Sequence, residues 1–264
     1  MPGPIVTLTT DYGTSDHLVG TLKGVLLSIH PEIQIVDICH SVVPYDVLDG
    51  ALCIGAAYKY FPARTVHLVV VDPGVGTARR PILVSANNQY FIAPDNGVLS
   101  MVYERENPVA VRHITSEHYF QRPVSETFHG RDIFAPVAAW LTKNWQGEAF
   151  GEVIEDHVKF ALPRPKTQDG AMRGAVLKVD HFGNLMTNFT LEDLPEAKRV
   201  PGPIAMTVNG KPVKQMVGNF AAGPAGEAVA LLGSSGFIEI VVNKGNAARA
   251  LAVNRGAEVI FQIA

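Results

Sequence analysis

Residues 66–80 read VHLVVVDPGVGTARR. The stretch opens as an apolar, β-branched run, the pattern of a buried strand in a sheet covered on both faces. The run stops at a single carboxylate, Asp72. Pro73 and Gly74 break the strand, Gly76 adds backbone freedom, and Arg79 and Arg80 follow. A carboxylate at the carboxyl end of a buried strand stands where open α/β sheets place their ligands. A turn in which Asp72 caps local N–H groups is the plainer alternative.

Other strand ends in the same half look alike. Residues 5–9 form a short apolar strand that ends in Thr10, Asp11, Tyr12 and Gly13. From Asp16 a helical pattern runs through Leu18, Val19, Leu22, Val25, Leu26 and Ile29, and Pro31 stops it. Gly13 and Gly20 are too few for a G-x-G-x-x-G fingerprint, which rejects a dinucleotide site. The loop offers carboxylates instead, and Asp11 is placed either to receive ribose hydroxyls or to cap a turn. Residues 33–39 form a second strand. Asp46 then caps a helix expected through Tyr60, closed by Pro62. Tyr45, just before that helix, is read first as a packing aromatic and second as a platform for a flat ligand. Residues 81–85 and 89–92 read as a hairpin around Asn87-Asn88, and it ends in APDNG with Asp95 and Asn96.

Residues 113–131 are polar and irregular, and a loop of that length in a compact domain is commonly functional or disordered. His129 leads into a helix over residues 133–143, where the macrodipole disfavours imidazolium. His113, His118 and His157 read as solvated loop residues. No H-x-x-x-H or C-x-x-C spacing is present, so no metal site is expected.

Alternating strands and helices up to about residue 160 define an α/β half with a central, mostly parallel sheet. The N-terminal domain is set at residues 1–165. The Pro/Gly/charged stretch around residues 162–174 marks a boundary, with the linker set at residues 166–173. Beyond it, residues 174–264 carry short strands at 174–179, 204–208, 211–217, 228–232, 237–242 and 258–263. Asn209-Gly210 is a strong hairpin signal. This half reads as a small all-β barrel or sandwich.

The 264 residues are 47% hydrophobic and 18% charged, with a net charge of −3. That is a globular composition with ample core. Nucleic acid and anionic membrane surfaces both favour a basic face, so neither is an expected partner. Cys39 and Cys53 lie in apolar runs and read as buried thiols of a reducing compartment. The N-terminus has no leader pattern and no apolar run approaches a membrane span, so a cytoplasmic protein is expected.

Six segments in order carry a family resemblance: TTDYGTSDHLVG, VDPGVGTARRPI, APDNG, TFHGRDIFAPVAA, VDHFGNLMTN and GNAARAL. Together they resemble the S-adenosyl-L-methionine hydroxide adenosyltransferases, relatives of the adenosyl-fluorinases and chlorinases. The resemblance spans nearly the whole chain. It implies an α/β domain joined to a β-barrel domain. It also implies a homotrimer, with each site between one subunit's N-terminal domain and its neighbour's C-terminal domain. Carried over by position, Asp11 would bind the ribose hydroxyls, and Tyr45 and the loop near Asp72 would line the ribose and sulfonium region. Asp180, Ser234 and Ser235 would hold the methionine amino and carboxylate groups. Asn184 and the backbone around Ala248 would read the adenine edge. Asp72, Arg79 and His129 match the family's set around the attacking water. Some halogenase relatives carry an arginine at the position of Ser235, which leaves the carboxylate contact open.

The implied reaction is hydrolysis of S-adenosyl-L-methionine to adenosine and L-methionine by water attack at ribose C5′. The small molecule is the substrate, and no separate cofactor is expected. An ionised Asp72 about 4 Å from a chloride would repel it by roughly 4 kcal/mol at an effective dielectric of about 20, before any offset from Arg79. Neutral water meets no such barrier. Competing readings are an adenosyl halogenase on the same scaffold and an S-adenosylmethionine or adenosine sensor without turnover. Three ionisable groups meeting at one point favour an enzyme.

Overall fold

The computed structural model describes residues 3–263. It divides into two compact units, residues 1–161 and 162–264. The first holds β1 (Ile5–Thr10), α1 (Leu18–Ile29), β2 (Gln34–Cys39), α2 (Val47–Ala57), β3 (Val66–Val70), β4 (Pro81–Ala86), β5 (Gln89–Pro94), α3 (Ser100–Arg105), β6 (Val109–His113) and α4 (Ala135–Asn144). These strands form one sheet in the order β2-β1-β3-β5-β4-β6. The first four run parallel, and β4 lies antiparallel between β5 and β6.

Every residue of β3 is buried. Its side chains alternate between two apolar layers, as the period of a strand requires. Val66, Leu68 and Val70 join α1 and α4 through Leu22, Leu26, Phe134 and Val137. Val69 and Val71 join α2 and α3 through Ile54, Val98 and Val102. Coverage on both faces is why the run is continuously apolar. His67 is the exception inside it. It stacks on Phe91 of β5 at 4.8 Å and shares a 2.7 Å hydrogen bond with the Thr7 hydroxyl.

The expected hairpin closes at Asn87 and Asn88, both at positive φ, between β4 and β5. Asp46 caps α2, accepting from the Asp49 N–H at 2.9 Å. The helix ends at Ala57 and finishes as a single 3₁₀ turn, Tyr58–Tyr60. α1 begins at Leu18, two residues after the expected Asp16, and no side chain caps it. α4 is preceded by a π-helical turn, Gly130–Phe134, so the helical segment starts three residues before the expected position. His113 lies at the end of β6, and His157 packs edge-on against Tyr103 at 4.6 Å. Both are therefore partly buried rather than solvated. Cys39 and Cys53 are half-buried thiols.

The second unit holds β7 (Lys166–Gln168), β8 (Ala171–Val179), β9 (Leu185–Thr190), β10 (Gly202–Val208), β11 (Lys211–Met216), β12 (Ala228–Leu232), β13 (Phe237–Val242), α5 (Ala247–Leu251) and β14 (Glu258–Gln262). Pairing of β14 with β8 closes seven of these strands into a barrel, β14-β10-β11-β12-β13-β9-β8. Closure leaves no free edge among the seven. Leu185, Phe189, Val208, Ile240 and Phe261 fill its centre. Asn209-Gly210 forms the expected turn between β10 and β11, with φ of 47° and 77°. Residues 166–173, read from their Pro/Gly/charged context as a linker, form β7 and the start of β8. A tight turn at Asp169-Gly170 pairs them, and their polar side chains reflect an exposed hairpin.

Candidate active site

The carboxyl ends of β1 and β3 open onto a cleft of about 400 Å³. Asp11, Tyr12, Leu18, Pro44, Tyr45, Asp72, Val75, Thr127 and Gly130 line it. Parallel neighbours put both carboxylates on the same sheet edge, because β1 and β3 run in register from Val6↔Val66 to Thr10↔Val70.

Asp72 lies two residues past β3, and Pro73 prevents the strand from continuing. Arg79 reaches back across this loop and grips the carboxylate with two nitrogens. Nε donates to Oδ1 at 2.9 Å, and Nη2 donates to Oδ2. The pair is largely withdrawn from water, with side chains 5% and 9% exposed. Fork-to-carboxylate pairing of this kind is charge-assisted and sets orientation. Arg79 Nη2 also meets His129 Nδ1 at 2.7 Å. Arginine only donates, so Nδ1 is the acceptor and a neutral His129 carries its proton on Nε2. Burial, and then the Arg79 charge, push the His129 pKa below the ordinary imidazole value. The direction agrees with the expectation from its place at a helix start, but the physical causes are desolvation and a neighbouring cation. Asp72 lines the cleft, while His129 reaches it through Arg79.

Asp11 is held by a residue far away in sequence. The Tyr45 N–H donates to Asp11 Oδ2 at 2.9 Å. Burial raises the Asp11 pKa, the Tyr45 N–H opposes the rise, and Asp72 adds to it. Tyr45 has φ of 67°, which turns its ring outward, 75% exposed at the rim of the cleft. The packing role suggested by its sequence context is therefore not what the fold provides.

The loop that brings His129 is anchored by Asp132. Its buried carboxylate pairs with Arg131 at 2.6 and 2.9 Å and accepts the Ser125 N–H at 2.8 Å. Gly76 lets the Asp72–Arg79 loop pass against the Glu126 carbonyl, where a Cβ would collide.

The second unit gathers the other sequence-derived residues. Asp180 accepts from Asn184 twice, from its N–H and from Nδ2, both at 2.8 Å. Glu239 on β13 has its pKa raised by burial and then by Asp180. It fills the space beside Gly233, at the turn that carries Ser234 and Ser235. Ala248, in α5, donates its N–H to the Gly183 carbonyl at 3.0 Å, and its own carbonyl accepts from Val253 at 2.9 Å. Two groups thus form: Asp11, Tyr45, Asp72, Arg79 and His129 in the first unit, and Asp180, Asn184, Ser234, Ser235 and Ala248 in the second.

The loop after Asp72, read as part of the site, contributes Val75; Tyr12, Leu18, Pro44, Thr127 and Gly130 line the cleft without having been read as site residues. The signal for Tyr12 was its place beside Asp11. Pro44 adjoins Tyr45, and Thr127 and Gly130 lie close to His129 in a segment already singled out.

A mostly parallel sheet with a charged cleft at its carboxyl edge, followed by a closed seven-stranded barrel, is the arrangement of the SAM hydroxide adenosyltransferases, and the chain belongs to that family. Residues 6–151 match its N-terminal domain and residues 174–260 its C-terminal domain. The chain is 38% identical over 261 residues to the (R)-S-adenosyl-L-methionine hydrolase of Salinispora tropica, covering 97% of this chain and 96% of that one. It is 29% identical over 291 residues to a fluorinase of Nocardia brasiliensis, covering 98% and 97%. A crystal structure of an uncharacterized conserved protein from Thermotoga maritima superposes with a TM-score of 0.89 at 37% identity, covering 97% of this chain and 99% of that one.

Proposed function

We propose that this chain hydrolyses S-adenosyl-L-methionine to adenosine and L-methionine. The observation that carries the reading is the buried Asp72–Arg79 pair on the cleft wall, in a chain 34–38% identical to enzymes named as (R)-S-adenosyl-L-methionine hydrolases. A water oxygen forms a bond to ribose C5′ as the C5′–S bond breaks. The bonding pair goes to sulfur, which leaves as the neutral thioether of methionine. One water proton must be lost, and Asp72 accepts it. Arg79 orients Asp72 through its two-nitrogen grip. His129 holds Arg79 in place through Nδ1. Asp11 receives the ribose hydroxyls, and Asp180, Asn184, Ser234, Ser235 and Ala248 take the methionine and adenine ends.

The bidentate pair also revises the argument against halide. A chloride in the cleft meets a dipole rather than a bare carboxylate, so the repulsion is well below the bare-charge figure of roughly 4 kcal/mol. Water is then favoured mainly by an acceptor for its proton, which a halide does not need.

The active assembly is a homotrimer whose sites join the first unit of one chain to the second unit of another. Tyr45 and Phe182, 75% and 72% exposed within the two site segments, support this reading as large aromatics suited to cover by a neighbour. Mixing an Asp72→Ala chain with an Asp180→Ala chain tests it. Random reassembly restores about a quarter of the sites, whereas sites within one chain restore none. For the reaction itself, incubation in ¹⁸O-labelled water with and without chloride is decisive. Labelled adenosine and methionine are expected. Intact bound substrate would indicate a sensor, and 5′-chloroadenosine a halogenase.

A further inference from the structure

Tyr12 lines the first unit's cleft and has no part in the reaction just described. Its ring packs edge-on against Phe128 at 5.9 Å. Its hydroxyl lies over Gly130, 2.5 Å from where a Cβ of that residue would stand. Asp11, Asp72 and Arg79 are all close enough to act on it electrostatically. Burial raises the phenol pKa far above its ordinary value, and the two carboxylates add to the rise, so the hydroxyl keeps its proton. Among the described residues no partner hydrogen-bonds to that hydroxyl, though it sits at a wall shared with Asp72.

An attacking water needs more than an acceptor. A carboxylate alone draws the water's hydrogens and leaves the molecule free to pivot about that contact. A donor to one lone pair fixes the direction of the other, and in-line attack depends on that direction. Neither Arg79 nor His129 lines the cleft, and Asp11 and Asp72 only accept. Three hydroxyls remain on the lining: Tyr45 carries its own on an exposed ring at the rim, Thr127 Oγ1 pairs with Ser125 Oγ at 3.2 Å, and Tyr12 holds its own over Gly130 beside Asp72.

We propose that the Tyr12 hydroxyl donates to the attacking water from the Gly130 wall of the cleft and, together with Asp72, sets its orientation toward ribose C5′. The role rests on the hydrolytic reading above. It also assigns Gly130 a reason: a Cβ there would stand 2.5 Å from the hydroxyl and displace it.

Tyr12→Phe keeps the ring and removes only the donor. We expect kcat to fall about tenfold, the loss of one hydrogen bond, with KM for S-adenosylmethionine and the thermal midpoint little changed. A purely structural hydroxyl would move the midpoint or KM and spare kcat. Gly130→Ala supplies the second reading. In the wild-type background it should lower kcat to a similar degree by pushing the hydroxyl aside. In the Tyr12→Phe background, where the 2.5 Å clash is gone, it should cost little more. A Tyr12→Phe enzyme within twofold of wild-type kcat overturns the role of Tyr12 alone, as does a Gly130→Ala enzyme of full activity. A wild-type chain that leaves S-adenosylmethionine intact overturns the hydrolytic reading and this one with it.

Discussion

β3 and β5 are neighbours, and both end in an aspartate beside proline and glycine: VDPG at residues 71–74 and PDNG at residues 94–97. Each aspartate is taken by one of two consecutive arginines. Arg79 grips Asp72, and Arg80 grips Asp95, with Nε donating to Oδ2 at 2.9 Å. Their surroundings then diverge. Asp72 opens on the cleft, and its arginine reaches a histidine. Asp95 accepts the Val158 N–H at 2.7 Å, and Arg80 continues to Asp156 at 2.8 Å. The second pair therefore straps residues 156–158 onto the sheet. Two strand ends that share the aspartate and a glycine two residues on thus meet different surroundings, the cleft in one place and a strapped loop in the other. The difference lies in what the fold brings opposite each carboxylate: empty space, or backbone.

Removing each carboxylate in turn separates the two strand ends. Asp95→Ala should lower folding stability by about 3 kcal/mol, since it strands a partly buried arginine and an N–H. Turnover per folded molecule should stay within threefold of wild type, as chemical denaturation and active-site-normalised kinetics would show. A large loss of kcat without loss of stability would make Asp95 a reactive group after all.

The weld between the two strands is tested by pH. His67 of β3 stacks on Phe91 of β5, and burial lowers its pKa to about 4. Between the ordinary imidazole value and about 4, the unfolded chain binds a proton that the folded chain refuses. Stability therefore rises with pH across that window and is lost on acidification, by about 2 kcal/mol between neutrality and pH about 4.5. Urea midpoints measured across this range should show the slope in the wild type and a smaller one in His67→Leu.

At the other strand end, Asp72→Ala should lower hydrolysis tenfold or more with stability changed far less than in Asp95→Ala. Equal losses of stability from the two substitutions would mean that both pairs are pins. A smaller effect sharpens the picture further. Protonated His129 cannot accept from Arg79, and its pKa lies below the ordinary imidazole value. Turnover should thus be flat through neutrality and fall severalfold on the acid side. His129→Asn should be slower but lose the part of that limb not due to Asp11, whose raised pKa also titrates there. A limb identical in wild type and His129→Asn would remove His129 from the set.

Much of the architecture is written in local pattern. A continuous apolar run such as residues 66–71 has no solvent face, so it must lie inside a covered sheet. Asn87-Asn88 and Asn209-Gly210 tolerate positive φ, so they place two hairpins directly. Asp46 as an N-cap needs only its own next three residues. The exposed hairpin at residues 166–173 escaped such reading because polar strands on a surface share the composition of a linker.

The site divides along the same line. Strand-end carboxylates, Asp11 and Asp72 among them, stand out in the sequence because a charge that ends an apolar run marks where the strand leaves the core. The sequence alone could not say which of Asp72 and Asp95 faces open space, nor that Tyr45 turns outward on a positive φ, nor that Tyr12 lays its hydroxyl over Gly130. Those outcomes depend on contacts between residues tens to more than a hundred positions apart, and only the packed sheet and its loops bring such residues within hydrogen-bonding distance.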